Sequence, residues 1–233
     1  MSDKAKIITI YGVVVLVSAI VIGTAMWIRS ARKEAFGQPI AVDVGRENPA
    51  VLMTLKKDLA ATNQEGQVVR LSELKGKVWI AMQFFASCPQ CAKRNYEDVT
   101  KLYAAFRDDP NFHLVCITID PDTDGVEELQ AYAEALDADS SNWWFLTGPR
   151  EELHGYMSRE LKFMDIRERT DPASIAAEGR YAHDLGLEIF GPGWNMLDKA
   201  DLAFASTQGP AAHDKLYEEV RARIATELDK INE

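Results

Sequence analysis

Two cysteines, Cys88 and Cys91, stand two residues apart in the stretch FFASCPQC. Such a pair serves as a dithiol that exchanges with disulfides, as half of a zinc site, or as a clamp for a soft metal ion. A structural zinc site takes four cysteine or histidine ligands. The sequence contains no second pair of this kind, so zinc is disfavoured, and thiol redox chemistry and soft-metal binding stay open.

The cysteine pair is predicted to lie where a strand passes into a helix. Residues 78–85, VWIAMQFF, are apolar except for Gln83, which is typical of a strand buried on both faces. Apolar residues at helical spacing then predict a helix over residues 90–107. The first turn of a helix carries unpaired N–H groups and partial positive charge, which favour a thiolate. The third cysteine, Cys116, lies within the apolar run FHLVCITI and is expected in the core.

The remaining pattern predicts an α/β fold. Strands at residues 112–119 and 143–146 alternate with helices, and a hairpin with strands at 194–198 and 202–205 precedes a closing helix. This order predicts a thioredoxin-like fold, with a central mixed sheet flanked by helices. The polar segment that begins at residue 165 is interpreted as an insertion around residues 165–193.

The first 33 residues differ from the rest of the chain. Residues 7–28 form an uncharged run between basic residues, and as a helix this run rises roughly 33 Å, enough to cross a bilayer. The apolar core of a cleaved signal peptide is shorter, about 7–15 residues. The sequence therefore predicts one N-terminal transmembrane helix within a membrane anchor (1–33), then a tether (34–50) and a thioredoxin-like domain (51–233).

The charge of the chain restricts its partners. The net charge is −10, and residues 34–233 hold 21 basic and 35 acidic residues, a net charge of −14. An acidic domain repels phosphates, which argues against a nucleic-acid partner.

Four stretches of the sequence carry a resemblance to a known family: LSELKGKVWIAMQFFASCPQC (71–91), NYEDVTKLYAAF (95–106), VCITIDPDTDGVEELQAYAEAL (115–136) and WWFLTG (143–148). They resemble the Sco/SenC family, whose members are membrane-anchored, copper-binding, thioredoxin-like proteins that help to assemble the copper centre of cytochrome c oxidase. The resemblance extends from about residue 58 to residue 201. It implies copper, Cu(I) or Cu(II), as the bound metal, and the copper subunit of the oxidase or another respiratory-complex protein as partner. It also implies a single-pass protein of the cell membrane with its domain on the periplasmic side.

The resemblance also implies three copper ligands. The two cysteines of the family correspond to Cys88 and Cys91, although the family usually has three residues between them and this chain has two. The third ligand in the family is a histidine just before the strand of the late hairpin, and His183 is the nearest candidate. His183 stands farther from the predicted strand at 194–198 than the family pattern requires, which suggests an inserted loop at 185–193.

Two other functions remain open. The two-residue spacing is typical of membrane-anchored thiol–disulfide oxidoreductases of the TlpA/ResA type, in which Cys88 would attack a partner disulfide and Cys91 would resolve it. Such enzymes place a cis-proline opposite the dithiol, and Pro192 is a candidate for that position. Alternatively, the chain is a non-catalytic accessory subunit of a respiratory complex. Whether the protein is an enzyme therefore stays open.

Other polar residues have simpler interpretations. Three histidines lack partners at metal spacing and are expected to be structural or exposed: His113, His154 and His213. Three alternating aspartates lack the distal glutamate of a calcium loop and are expected to cap the following helix: Asp120, Asp122 and Asp124.

Overall fold

The structure is a computed structural model, and the residues that it describes are 11, 17–18, 20–24, 51–86 and 96–233. The chain divides into two compact units, Met1–Gly45 and Arg46–Glu233. In the part of the chain that is described, no helix is long and apolar enough to span a bilayer. Most of the predicted span at 7–28 and the whole predicted tether at 34–50 lie outside that part.

The second unit contains ten strands in the residues described. In chain order they are β1 (Met53–Thr54), β2 (Ala60–Thr62), β3 (Val68–Arg70), β4 (Val78–Phe84), β5 (Phe112–Thr118), β6 (Trp143–Leu146), β7 (Arg167–Glu168), β8 (Tyr181–Ala182), β9 (Leu187–Phe190) and β10 (Asn195–Ala200).

Six α-helices and one short 3₁₀ helix accompany these strands in the described part of the second unit. The 3₁₀ helix spans Leu71–Leu74, and the α-helices are α1 (Tyr96–Phe106), α2 (Val126–Ala135), α3 (Arg150–Arg159), α4 (Pro172–Glu178), α5 (Leu202–Gln208) and α6 (Pro210–Asn232).

Six strands form a mixed central sheet in the spatial order β1-β10-β9-β4-β5-β6. Strands β4, β5 and β6 are parallel, whereas β9 runs antiparallel to β4 and β10 antiparallel to β9. Every residue of β4 and β5 is buried, as the continuous apolar runs predicted. The predicted central mixed sheet with flanking helices is therefore confirmed.

The two faces of the sheet are covered by different elements. Helices α1, α2 and α6 pack on one face through a cluster that includes Leu102, Leu129 and Ile224. Helix α3 and the β2–β3 hairpin cover the other face, where Leu153 and Val69 pack with the same apolar cluster. Both faces of the parallel strands are thus closed to solvent, and the polar features of interest lie at the strand ends.

The late hairpin differs from the prediction. Its two strands are β9 and β10, whereas residues 202–208 form helix α5, whose N-cap Asp201 accepts a hydrogen bond from the Phe204 N–H. Strand β9 was missed because Glu188 interrupts its short apolar run. Glu188 is nevertheless fully buried, beside Lys199 of β10. The last part of the predicted insertion at 165–193 is therefore a central strand.

Candidate functional site

The candidate site lies at the carboxyl end of β4, where the chain enters the cysteine segment. The parallel strands β4 and β5 end at the same edge of the sheet, and the Ile119 N–H donates to the Phe84 carbonyl there (2.9 Å). This edge is where open α/β sheets usually bind ligands. Ala86 is the last residue described before Cys88, and both Cys88 and Cys91 lie outside the described residues.

A buried carboxylate holds the chain at Ala86. Asp124 Oδ2 accepts hydrogen bonds from the Ala86 N–H (3.0 Å) and from the Thr118 hydroxyl. Burial raises the pKa of Asp124 above its ordinary value. The expectation that this aspartate caps the following helix is wrong. The N-cap of α2 is Gly125, with no side-chain hydrogen bond, because the Asp124 side chain turns back to β4 and β5.

The neighbouring aspartate, Asp120, connects this edge to α3 and β8. Its Oδ1 accepts from Arg150 Nη2 (2.9 Å) and from the Tyr181 hydroxyl (3.2 Å). Arg150 also donates to the exposed Asp122 (2.7 Å). Asp120 and Asp122 therefore pair with an arginine of α3 and do not cap α2.

His183 lies at the same end of the sheet as Ala86. Its ring packs edge to face on Phe85, with 5.6 Å between the ring centroids, and Phe85 is three residues before Cys88. Its Nδ1 is 2.7 Å from the Asp184 carbonyl oxygen. Because a carbonyl only accepts, Nδ1 carries the proton and Nε2 carries the lone pair that binds metals. Burial lowers the pKa of His183, which favours the neutral ring.

The chain position of His183 fits the hairpin as the structure forms it. The first hairpin strand is β9, which begins at Leu187, so His183 stands just before it. No inserted loop separates the two, and the expectation of one at residues 185–193 is wrong. The sequence pattern predicted residues 194–198 as the first strand of the hairpin, and a loop was needed only for that reason.

Pro192 does not fulfil the predicted role. The described residues contain no cis peptide bond, and Pro192 occupies a tight turn in which the Trp194 N–H donates to the Gly191 carbonyl (3.0 Å). Its carbonyl accepts from the Gly76 N–H (3.0 Å), just before β4 begins. Pro192 thus lies at the amino end of β4, and the seven residues of that strand, roughly 23 Å in length, separate it from the carboxyl end that leads to Ala86. The antiparallel course of β9 puts it there.

The three other histidines are structural. His113 is buried in β5, and burial lowers its pKa to about 3. His154 contacts the Ile119 carbonyl (2.8 Å), and His213 contacts the Asp98 carboxylate (2.8 Å). Cys116 lies in the core, where burial raises its pKa to about 12, as its place in an apolar run predicted. Among the residues described, no group of three or more histidine, cysteine, aspartate or glutamate side chains is arranged to hold a metal ion.

A buried polar network lies behind His183, and sequence reasoning missed it. Asp184 Oδ2 accepts from Lys199 Nζ (2.7 Å), and the Asp184 N–H donates to Gln83 Oε1 (2.9 Å). Lys199 also contacts Glu188 Oε1 (3.2 Å). The signal for this network was Gln83, the single polar residue of an otherwise apolar strand.

The comparisons with known proteins agree on one family. The family model described as SCO1/SenC matches residues 50–200. The SCO1 protein homolog of Bacillus subtilis (strain 168) is 30% identical over 137 residues, which are 58% of this chain and 67% of that protein.

Solved structures share the fold. A SCO1/SenC family lipoprotein from Bacillus anthracis str. Ames superposes with a TM-score of 0.61 at 21% identity, over 76% of this chain and 96% of that one. BsSco, described as a member of the Sco family of cytochrome c oxidase assembly proteins, gives a TM-score of 0.60 at 19% identity, over 79% and 99%. Copper-bound ScoI of Bradyrhizobium japonicum gives 0.57 at 15% identity, over 74% and 99%. The predicted thioredoxin-like fold is thereby confirmed, and the chain belongs to the SCO1/SenC family.

Proposed function

We propose that this protein binds copper and assists the assembly of cytochrome c oxidase, with Cys88, Cys91 and His183 as the copper ligands. Its membership of the SCO1/SenC family supports the proposal. BsSco is described as a member of the Sco family of cytochrome c oxidase assembly proteins, and the ScoI structure of B. japonicum holds copper. The observation that carries the proposal is the packing of His183 on Phe85, three residues before Cys88.

The proposed ligand set suits copper. Thiolates are soft ligands that select Cu(I), and an imidazole nitrogen completes a three-coordinate site that Cu(II) also accepts. The proton on Nδ1 of His183 leaves Nε2 as the nitrogen for the metal. A site with three protein ligands keeps one face open to an incoming ligand of the partner. That open face suits transfer of copper to the oxidase.

A thiol–disulfide oxidoreductase is the second candidate, because Cys88 and Cys91 are separated by two residues as in thioredoxin-like reductases. The expected cis-proline does not support this candidate, because Pro192 is trans and lies at the opposite end of β4. In this alternative Cys88 forms a mixed disulfide with the partner, and the Cys91 thiolate then displaces the partner thiolate. A non-catalytic accessory subunit of a respiratory complex is the third candidate.

We further propose that residues 7–28 anchor the protein in the cell membrane, with the SCO1/SenC domain on the periplasmic side. The uncharged run in the sequence and the description of the B. anthracis relative as a lipoprotein support association with a membrane. The proposed partner is then the copper subunit of cytochrome c oxidase or another respiratory-complex protein. Protease added to intact spheroplasts should remove the domain. Protection of the domain until the membrane is lysed would contradict this topology.

A copper-binding measurement separates the candidate functions. The full-length chain, purified in detergent and reduced, is titrated with Cu(I) in competition with a chromophoric chelator. We expect one tightly bound copper per chain, with binding lost in Cys88→Ser and Cys91→Ser and weakened at least tenfold in His183→Ala. Cys116→Ala is the matched control, because its sulfur is buried in β5 and should leave binding unchanged.

The same preparation tests the redox alternative. A chain that reduces a disulfide substrate through Cys88 and binds no copper would refute copper binding and support the oxidoreductase. A chain that does neither would support the accessory subunit. Copper binding that survives loss of His183 would remove the proposed third ligand.

A further inference from the structure

Hydrogen bonds of Asp184, the residue after His183, connect this segment to three other parts of the domain. Its Oδ2 accepts from Lys199 Nζ of β10 (2.7 Å) and from the Met164 N–H in the segment after α3 (3.1 Å). Its N–H donates to Gln83 Oε1 of β4 (2.9 Å). Its Oδ1 also accepts from the Gly186 N–H (2.8 Å), which closes a tight turn before β9. A residue held on so many sides has little freedom to rotate.

The fixed backbone of Asp184 in turn fixes the His183 ring. The Asp184 carbonyl is the acceptor for Nδ1–H of His183 (2.7 Å), so the direction of this carbonyl sets the tautomer and the plane of the imidazole. Metal-binding histidines generally use their second nitrogen in this way, and the partner of that nitrogen tunes metal affinity. The edge-to-face contact with Phe85 restrains the ring from another side.

Lys199 supplies the charge that makes this arrangement stable. The side chain of Asp184 is 9% exposed and that of Glu188 is fully buried, and the Lys199 ammonium lies between them at 2.7 Å and 3.2 Å. Without the cation, two carboxyl groups would face each other in a nearly dry environment, which proteins do not tolerate without rearrangement or proton uptake. The position of Asp184 therefore depends on Lys199.

From these contacts we infer that Asp184 and Lys199 are positioning residues for His183: the buried network that joins them to β4 and β10 fixes the orientation and tautomer of the His183 ring, and so sets the affinity for copper. This inference rests on the proposed function, because it concerns His183 as a copper ligand. We do not expect either residue to contact the metal. Both act through the Asp184 carbonyl.

The test uses the full-length chain in detergent, with Cu(I) competition for affinity and Cu(II) electron paramagnetic resonance for ligation. The variants are Asp184→Asn, which keeps the shape and removes the charge, and Lys199→Met, which removes the cation. Both should bind copper about 10–100-fold more weakly and lose or broaden the nitrogen coupling of the histidine. Glu227→Gln is the matched control: it replaces a buried carboxylate of α6 that Lys230 contacts at 2.8 Å, and both readouts should stay as in the wild type.

The outcomes separate this inference from the function on which it rests. If His183→Ala loses the nitrogen coupling while Asp184→Asn and Lys199→Met, folded by circular dichroism, keep wild-type affinity and coupling, the inference is overturned and the ligand assignment stands. If His183→Ala itself behaves as the wild type, the ligand assignment fails. Should the two network variants not fold, Gln83→Met removes a single hydrogen bond to Asp184. An altered nitrogen coupling in that variant supports the inference, and an unaltered one overturns it.

Discussion

At the amino end of the central sheet, His113 is buried against Trp144, and among the described residues neither of its ring nitrogens has a hydrogen-bond partner. At the carboxyl end, His183 packs on Phe85 and donates from Nδ1 to the Asp184 carbonyl. Burial lowers the pKa of both histidines. Of these two histidines, only His183 has a hydrogen bond that defines its tautomer. It lies at the end of β4 that leads into the cysteine segment.

This contrast extends to the other polar groups of the sheet. At the carboxyl end, Asp124 accepts from the N–H of Ala86, which follows Phe85, and Asp184, which follows His183, accepts from the N–H of Met164. The amino end holds the Gly191–Trp194 turn, closed by backbone hydrogen bonds. The buried carboxylates at the carboxyl end thus fix chain segments. The buried histidine at the amino end is a core residue that lowers the stability of the fold at acidic pH.

The largest expected effect is at Asp124. Asp124→Ala leaves the Ala86 N–H and the Thr118 hydroxyl without their acceptor in a buried region and opens a small cavity. We expect a loss of about 3 kcal/mol in the free energy of unfolding. Asp124→Asn keeps an acceptor oxygen and should lose about 1 kcal/mol. Urea denaturation measures the free energy of unfolding of both variants. Equal losses in the two would show that the acceptor oxygen kept in Asp124→Asn does not stabilise the fold.

The next effect concerns Glu188, where burial raises the pKa from its ordinary value of 4.5 to about 8. The folded state therefore favours the protonated form. The stability from this group is complete below pH 4.5 and is lost as the pH rises through about 8. Glu188→Gln stays neutral, so it should gain on the wild type by a few kcal/mol between pH 5 and pH 8. Unfolding curves at several pH values test this prediction. A stability difference between Glu188→Gln and the wild type that does not change with pH would contradict the raised pKa of Glu188.

A third, smaller effect is expected at His113, whose pKa burial lowers from 6.5 to about 3. Its contribution to stability is present above pH 6.5 and is lost as the pH falls towards 3. His113→Leu removes this acid liability, so the variant should exceed the wild type by about 2 kcal/mol more at pH 5 than at pH 7.5.

The same variant sharpens the contrast between the two histidines. Copper binding should be unchanged in His113→Leu, because His113 lies at the amino end of β5. Weakened copper binding in a folded His113→Leu protein would mean that the amino end contributes to the site. That result would contradict the division between the two ends of the sheet.

Much of the fold followed from local sequence patterns. Strands β4, β5 and β6 were predicted nearly to the residue, because strands buried on both faces need continuous apolar runs. Strand β9 was missed, because its buried Glu188 contacts Lys199, which belongs to another strand. The burial of an acidic side chain depends on its spatial neighbour, and the local sequence pattern does not contain that neighbour.

The candidate site was predicted less completely. His183 was named from the family resemblance, and the structure places it beside Phe85. Pro192 was misplaced, because only the antiparallel course of β9 determines which end of β4 it meets. The network of Gln83, Asp184 and Lys199 joins residues from three separate stretches of the sequence, so their association appears only in three dimensions.

We propose that Nε2 of His183 binds copper together with the two cysteines. Electron paramagnetic resonance of the Cu(II)-loaded full-length chain, grown with ¹⁵N-labelled histidine, tests this ligand directly. We predict that the nitrogen coupling changes on labelling, which assigns it to an imidazole. We also predict that it is absent in His183→Ala and retained in His113→Leu. A nitrogen coupling that persists unchanged in His183→Ala would show that His183 is not a copper ligand.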